Sequence, residues 1–237
     1  PFTQTSWGAI PTIELDQPVR SVAGAIEADV LLVPIRADGR IALTAVAAED
    51  AEVTPVSSLD MTRQLADVTI RNGGEIIDAD AEAVIRKALL FGAGLLASEQ
   101  LGVARWCLEE TVSYLKVRRQ FGRVVGGFMA LKHRLADLYT EVESAAAAAR
   151  YAAATLAEGA EPMNGSDAEV AVALAQAYCS QVAVHAAEEA VQLHGGIGMT
   201  WEHPVHLYLK KAKADQIGFG APGAHRAHLA TLVNIPS

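Results

Sequence analysis

The sequence predicts an α+β protein that is mostly α, with a small antiparallel β region followed by an antiparallel four-helix bundle. Three observations carry this. Up to about residue 80 the apolar residues come in short, β-branched runs separated by turn residues. From Asp80 onward the apolar spacing lengthens to the 3.6-residue period of a helix. The composition is 51% hydrophobic but only 5% aromatic, with alanine prominent, which suits close-packed helices better than a sandwich core. A chain of 237 residues can bury a substantial core in one large or two small domains. The predicted division is 1–80 and 81–237.

Val30–Ile35 is a compact apolar run closed by the turn dipeptide Asp38-Gly39, and Ile41–Val46 reads as its hairpin partner. Val53–Val56 and Leu65–Ile70 are further expected strands, and Asn72-Gly73-Gly74 marks another turn. A first helix follows from about Asp80 to Arg118, with Val84, Leu89, Phe91, Leu95, Leu101, Val103, Leu108 and Leu115 along one side. The second is expected from Phe128 to Ala157, ended by Glu158-Gly159, and Glu161–Gly165 is read as a loop. Ser166-Asp167-Ala168-Glu169 offers a capping box for a third helix reaching Leu193. His203-Pro204 opens a fourth, to Ile217, and a glycine-rich stretch precedes a short final helix.

The formal charge of −9 argues against a broad nucleic-acid footprint, which needs clustered excess Lys and Arg. Arg118, Arg119 and Arg123 form one local basic patch. No run of about 18 apolar residues occurs, so no membrane span is expected. Cys107 and Cys179 have neither metal-ligand spacing nor a disulfide pattern, and a reduced, cytoplasmic setting is the expectation. The chain opens on Pro1 without a signal-peptide layout, and is expected to be part of a longer polypeptide.

Two stretches carry chemistry. In Gln192–Pro204, glycines at 195, 196 and 198 permit positive φ and a close approach to the main chain, and Gln192 can offer a carboxamide beside the exposed N–H groups. Such a corner suits a phosphate or a polar cofactor edge. It reads equally as a glycine cap between two helices. Upstream, Arg118 and Arg119 supply guanidinium forks suited to a pyrophosphate, Phe121 an apolar plate and Gly122 a helix break. An Arg pair at a helix end is, by itself, also an ordinary solvated cap. His133, His194 and His203 read as hydrogen-bonded structural histidines, and no metal-ligand set is evident.

Together, Arg118-Arg119-Gln120-Phe121-Gly122 and Gln192-Leu193-His194-Gly195-Gly196, in this order, resemble the C-terminal half of the acyl-CoA dehydrogenase family, which carries Arg-x-x-Phe-Gly, a long helix and then Gln-x-x-Gly-Gly. The resemblance runs from about Ala28 to His228. It implies a partial middle β domain and a C-terminal bundle, with the family's N-terminal helical domain and its main flavin-contacting β segment outside this sequence. It further implies FAD as cofactor and an acyl-CoA as substrate. Arg118, Phe121, Gln192, Gly195 and Gly196 match positions with which members hold the adenine-diphosphate end of FAD across a subunit interface. Where the family often has Gln on the next helix, this chain has Met129, which offers no amide donors.

Members remove the α-proton with a glutamate while the flavin accepts the β-hydride. Most keep that glutamate in a Tyr-Glu-Gly-Thr segment after the helix following the glycine-rich corner. Matching Ala212–Gly220 to that segment places Phe219 at the base position, with Gly220 on the neighbouring glycine. A minority carry the base on the first bundle helix, and counting back about twenty-nine residues from Phe121 lands on Gly92. Neither residue accepts a proton. Glu99, two turns beyond Gly92, is the remaining candidate, against its reading as an ordinary helix carboxylate, and Asp215 reads as a helix-end charge.

Three readings follow from the resemblance. The chain is a base-less subunit of a heteromeric acyl-CoA dehydrogenase, similar to actinobacterial sterol side-chain enzymes, in which a sister subunit supplies the glutamate. Alternatively it is a self-sufficient homotetramer with a displaced base, or a structural relative that binds no flavin. The first is the expectation.

Overall fold

The computed structural model describes residues 10–158 and 166–234. Gly159 and the loop expected at Glu161–Gly165 lie outside the described residues.

Six strands form two three-stranded antiparallel sheets: β1 (Val19–Ala23), β2 (Val30–Ala37), β3 (Arg40–Ala47), β4 (Ala51–Val56), β5 (Leu65–Ile70) and β6 (Glu75–Asp78), ordered β1-β5-β4 and β2-β3-β6. The β2–β3 hairpin pairs Val30 with Ala47 through to Ala37 with Arg40. Its two turn residues, Asp38 and Gly39, have φ of 49° and 79°, the left-handed pair of the turn that matches strand twist. Pro34 and Pro55 lie on the edge strands β2 and β4, where a missing N–H costs no ladder bond.

β3 is a seam. On one face Val46 joins Val33, Ala66, Val68 and Ile70 in the core between the sheets. On the other face Ile41 packs with Ala81 and Ile85 at the foot of the first helix. β1 and β6 were not expected from the sequence. β1 has no fully buried residue and β6 is exposed throughout, so neither shows hydrophobic alternation; ladder pairing to β5 and β3 holds them.

The helices are α1 (Glu82–Val117), α2 (Met129–Ala157), α3 (Asp167–His194), α4 (Val205–Ile217) and a short α5 (Pro222–Leu232). Between α1 and α2 lies a small hairpin of β7 (Arg119–Gln120) and β8 (Arg123–Val124). Side-chain pairs give the directions. Arg134–Glu189, Glu141–His185 and Ala145–Cys179 run α2 antiparallel to α3. Gln100–Asp215 and Trp106–Tyr208 run α1 antiparallel to α4. α1 and α3 are parallel, and Tyr114 near the end of one stacks on His194 at the end of the other, ring centres 4.3 Å apart. Ser166 caps α3, its hydroxyl accepting from the Glu169 N–H at 3.3 Å, and Gly195 closes that helix with φ of 66°.

Of the stripe expected on α1, Leu101, Val103, Leu108 and Leu115 are buried and Leu89 and Phe91 half-buried, but its other two members face solvent. Val84 is 50% exposed and Leu95 68%. The stripe that is shut off from solvent is Ala93, Ala97, Gln100, Ala104, Cys107 and Thr111, spaced alternately four and three residues apart. α3 answers with Val172, Gln176, Cys179, Ala183, Ala186 and Ala190 at the same spacing. Small side chains mark this face because α1 packs more extensively on α3 than on any other element. α3 is also the one helix among the described residues long and apolar enough to cross a membrane, and 72% of its most apolar window is buried inside the bundle.

Close packing makes enlargement costly. Ala183→Leu should lower stability by about 1–3 kcal/mol, read as a shifted urea midpoint with unchanged slope. Leu174→Ala, at a 44% exposed position of the same helix, should move it by less than about 0.5 kcal/mol.

Candidate functional site

The linker between α4 and α5 carries Phe219, the residue that the resemblance sets at the family's base position, and buried polar side chains hold its backbone. The Gln100 amide donates to the Asp215 carbonyl at 3.0 Å, and the Gln176 amide to the Gly218 carbonyl at 3.1 Å. His225, buried at the start of α5, donates from Nε2 to the Phe219 carbonyl at 2.9 Å. These bonds keep Phe219 in a left-handed conformation, φ 52°, that a bulky residue adopts only under surrounding constraint.

Phe219 and Gly92, the two base positions that the resemblance implies, face each other. A Cβ on Gly92 would lie 2.5 Å from Phe219 Cε1 and 2.6 Å from Cζ. Residues 92 and 219 thus occupy one place in space, which the phenyl ring fills.

Glu99 is committed elsewhere. Its carboxylate pairs with Arg63 at 2.8 Å and with Lys211. Arg63 also bonds Asp215, and Lys211 lies 3.6 Å from Asp215 and 3.9 Å from Asp60. Asp215 is not a solvated helix-end charge: its side chain is fully buried. Burial pushes its carboxyl upward, against the pull of Arg63 and Lys211. Arg63 belongs to the loop between β4 and β5, so this cluster ties the β region to α1 and α4. No sequence motif singled out Arg63 or Asp60.

The Arg118–Gly122 and Gln192–Gly196 stretches converge at one end of the bundle, because α1 and α3 are parallel. Besides the Tyr114–His194 stack, the Tyr114 hydroxyl reaches the His194 carbonyl at 3.4 Å. Gln192, Gly195 and Gly196 are exposed there, and so are Arg118 and Arg119. Neither arginine has an ion-pair partner among the described residues. Phe121 is 88% exposed, on a left-handed turn with Gly122. Of the three glycines expected to use positive φ, only Gly195 does. Gly198 is instead needed for close packing, since a Cβ there would lie 2.8 Å from the Val191 carbonyl oxygen, whereas Gly196 opens onto free space. Met129 is exposed on the first turn of α2.

The histidines divide. His133 is exposed. His194 is buried, its Nδ1 bonded to the Ala190 carbonyl at 2.7 Å, and desolvation keeps its pKa low. His203 Nε2 approaches Glu110 at 3.3 Å, so Glu110, His194 and His203 form a cluster that linear spacing does not display. Cys107 and Cys179 are buried free thiols, each pushed up to about 12 by desolvation, which removes them as nucleophiles.

Two outcomes test this geometry. In helix interiors Gly→Ala normally stabilises by about 1 kcal/mol. Gly92→Ala should instead destabilise, and in the Phe219→Ala background the same change should become neutral or stabilising, a coupling of about 1 kcal/mol or more in a double-mutant cycle. The second concerns His225, whose burial brings its pKa down to about 4. The unfolded chain takes up that proton near pH 6.5, so stability contributed by neutral His225 is full above about 6.5 and declines as pH falls toward 4. Between pH 7.5 and 5 the wild type should lose about 2 kcal/mol more than His225→Gln, measured by urea denaturation.

Comparison with known proteins agrees with this layout. The profile of the acyl-CoA dehydrogenase C-terminal domain matches residues 83–233. Acyl-CoA dehydrogenase IpdE2 of Mycolicibacterium smegmatis is 39% identical over 197 residues, 83% of this chain and 57% of that protein. Among solved structures, the ChsE4-ChsE5 complex from Mycobacterium tuberculosis superimposes with a TM-score of 0.80 at 26% identity, covering 94% of this chain and 60% of that one. A variant of the Tcur3481-Tcur3483 steroid ACAD gives 0.79 at 26% identity, covering 92% and 59%. The chain therefore spans a little over half the length of these relatives. The matched profile spans Arg118, Gln192 and Phe219, and the chain belongs to the acyl-CoA dehydrogenase family.

Proposed function

We propose that this chain is the base-less subunit of a heteromeric, FAD-dependent acyl-CoA dehydrogenase that forms the α,β double bond of an acyl-CoA thioester. The observation that carries the reading is the Phe219 ring lying over Gly92. The α-proton of a thioester is weakly acidic, so its removal needs a positioned carboxylate in a dry pocket. Here the place for that carboxylate is taken by a hydrocarbon ring, and the next acid along α1, Glu99, is held in ion pairs with Arg63 and Lys211. A sister subunit supplies the glutamate.

The residues at the common end of α1 and α3 fit the diphosphate end of FAD. Arg118 and Arg119 are exposed guanidinium groups without an ion-pair partner among the described residues, and Gly195 and Gly196 leave free space where side chains would stand. Arg118 would pair with the diphosphate, Gln192 and the glycine N–H groups would bond its oxygens, and Phe121 would cover an apolar edge of a cofactor held mainly by the neighbouring subunit. FAD, when bound, supplies the hydride acceptor. This chain orients it and helps exclude water. The likeness to a two-protein complex and to a steroid ACAD supports a paired, tetrameric assembly, and makes steroid-derived acyl groups the first to assay. We place the complex in the cytoplasm.

The test is co-expression with the sister acyl-CoA dehydrogenase subunit, followed by flavin absorbance, mass and turnover of an acyl-CoA with a flavin-linked acceptor. The isolated chain should be inactive, and Phe219→Glu should rescue it weakly or not at all. Arg118→Ala should weaken flavin retention in the complex by about 1.5–3 kcal/mol, the value of one charge-assisted contact. Glu99→Gln should leave turnover nearly intact. A loss of about 10²-fold or more, the scale for removing a general base, would instead identify a self-sufficient enzyme.

A further inference from the structure

Beneath the Gln192–Gly196 corner lies a group of side chains that flavin chemistry does not use. Glu110 on α1, His194 at the end of α3 and His203 before α4 each bring one donor atom within 4.8 Å of the others. His194 is 3% exposed, and its Nε2 is buried without a hydrogen-bond partner, while Nδ1 is committed to the Ala190 carbonyl at 2.7 Å. That bond makes Nδ1 the donor and leaves Nε2 a bare lone pair. A buried acceptor left unsatisfied loses its hydration without replacement, so a group that fills the space beside it is favoured.

We propose that Glu110, His194 and His203 form a binding site for a divalent transition-metal ion of the zinc class, which fastens the ends of α1 and α3 to the turn before α4.

Donor chemistry and geometry both point this way. Two imidazoles and a carboxylate are a zinc set with one position left for water, whereas magnesium and calcium call for oxygen donors. With metal–ligand distances of about 2.0–2.1 Å, the edge of a tetrahedron is about 3.3–3.4 Å. His203 Nε2 and Glu110 Oε1 already stand 3.3 Å apart, one such edge. The third donor has to close the remaining distance, from at most 4.8 Å. The Ala190 carbonyl is the outer partner that fixes a ligating histidine's tautomer, and the Tyr114 ring, stacked 4.3 Å from His194, fixes its plane. Side-chain exposures of 15% at His203 and 38% at Glu110 give the ion a way in. Coordination moves the His203 proton from Nε2 to Nδ1 and gives up one long contact, the Val205 N–H to Nδ1 at 3.4 Å.

The site is independent of the flavin reading and can be tested apart from activity. The full chain, freed of affinity tag and chelated metal, is titrated at pH 7.5 with zinc sulfate against a chromophoric chelator, and with cobalt(II) to read visible d–d absorption. The expected result is one saturable equivalent, a tetrahedral cobalt spectrum and a denaturation midpoint raised by zinc. Glu110→Gln and His203→Gln should each lower zinc affinity at least tenfold and abolish the midpoint shift, with helical circular dichroism unchanged. Glu110 is partly exposed, so its variant reports binding even if a histidine variant folds poorly. Absence of saturable binding at micromolar zinc in the wild type would overturn the proposal. So would retention of full affinity in both variants, which would place the ion elsewhere.

Discussion

The small-residue stripes of α1 and α3 set how the rest of the molecule is arranged. With Ala93, Ala97 and Ala104 on one helix and Ala183, Ala186 and Ala190 on the other, the backbones approach closely, and many weak dispersion contacts replace the few large ones of a leucine core. Each stripe also carries one buried glutamine. Gln100 and Gln176 lie among the alanines and aim their amides at the carbonyls of Asp215 and Gly218. The face that joins the two helices therefore also holds the α4–α5 linker. Because the helices are parallel, it brings their C-termini, and with them Arg118 and Gly195, to one end.

The β region is attached by a different force. Besides the apolar cluster of Ile41 and Leu43 with Ala81, Ile85 and Leu89, its link to the bundle is ionic, through Arg63 to Glu99 and Asp215 and through Asp60 to Lys211. A fully buried carboxylate such as Asp215 is stable only while its cations stay in place, and removing one would leave a charge without compensation. Such a cluster contributes orientation more than net stability. It fixes the side of α4 from which the linker departs, three residues before Gly218.

Where hydrophobic period or turn chemistry marked an element, the sequence was legible. The Asp38-Gly39 hairpin, the Ser166 cap and the limits of all four long helices follow from such local signals, within one or two residues. β1 and β6 carry no such signal, since their stability is in ladder bonds to distant strands. On α1 the large apolar residues Leu101, Val103, Leu108 and Leu115 are buried as expected, whereas Val84 and Leu95 are exposed, and the alanines most shut off from solvent at the close helix crossing are not marked by size. Motif order singled out Arg118, Gln192 and Phe219 as candidates. It could not show that Gly92 meets Phe219, that Glu99 has two cationic partners, or that Glu110 stands beside His203. Those relations exist only once α1, α3 and α4 are packed.

The meeting of residues 92 and 219 bears on where a carboxylate could be placed in this chain. Viewed along the chain they are separate positions for a base, on α1 and after α4. Folded, they share one volume, and each restricts what the other can be. The phenyl ring requires glycine at 92, since even a methyl group would lie 2.5 Å from it. A glutamate at 219 would stand over an empty glycine, with space on one side where apolar enclosure is needed to raise a carboxylate toward the pKa of a general base. A glutamate at 92 has no room until the ring is removed. Either route needs two coordinated changes, and the left-handed backbone at Phe219, held by Gln176 and His225 through its flanking carbonyls, constrains where a new carboxylate would point. In the proposed base-less reading, the packing of the linker on α1 is therefore what keeps a carboxylate out of this place, and a single substitution at either position is expected to restore little activity.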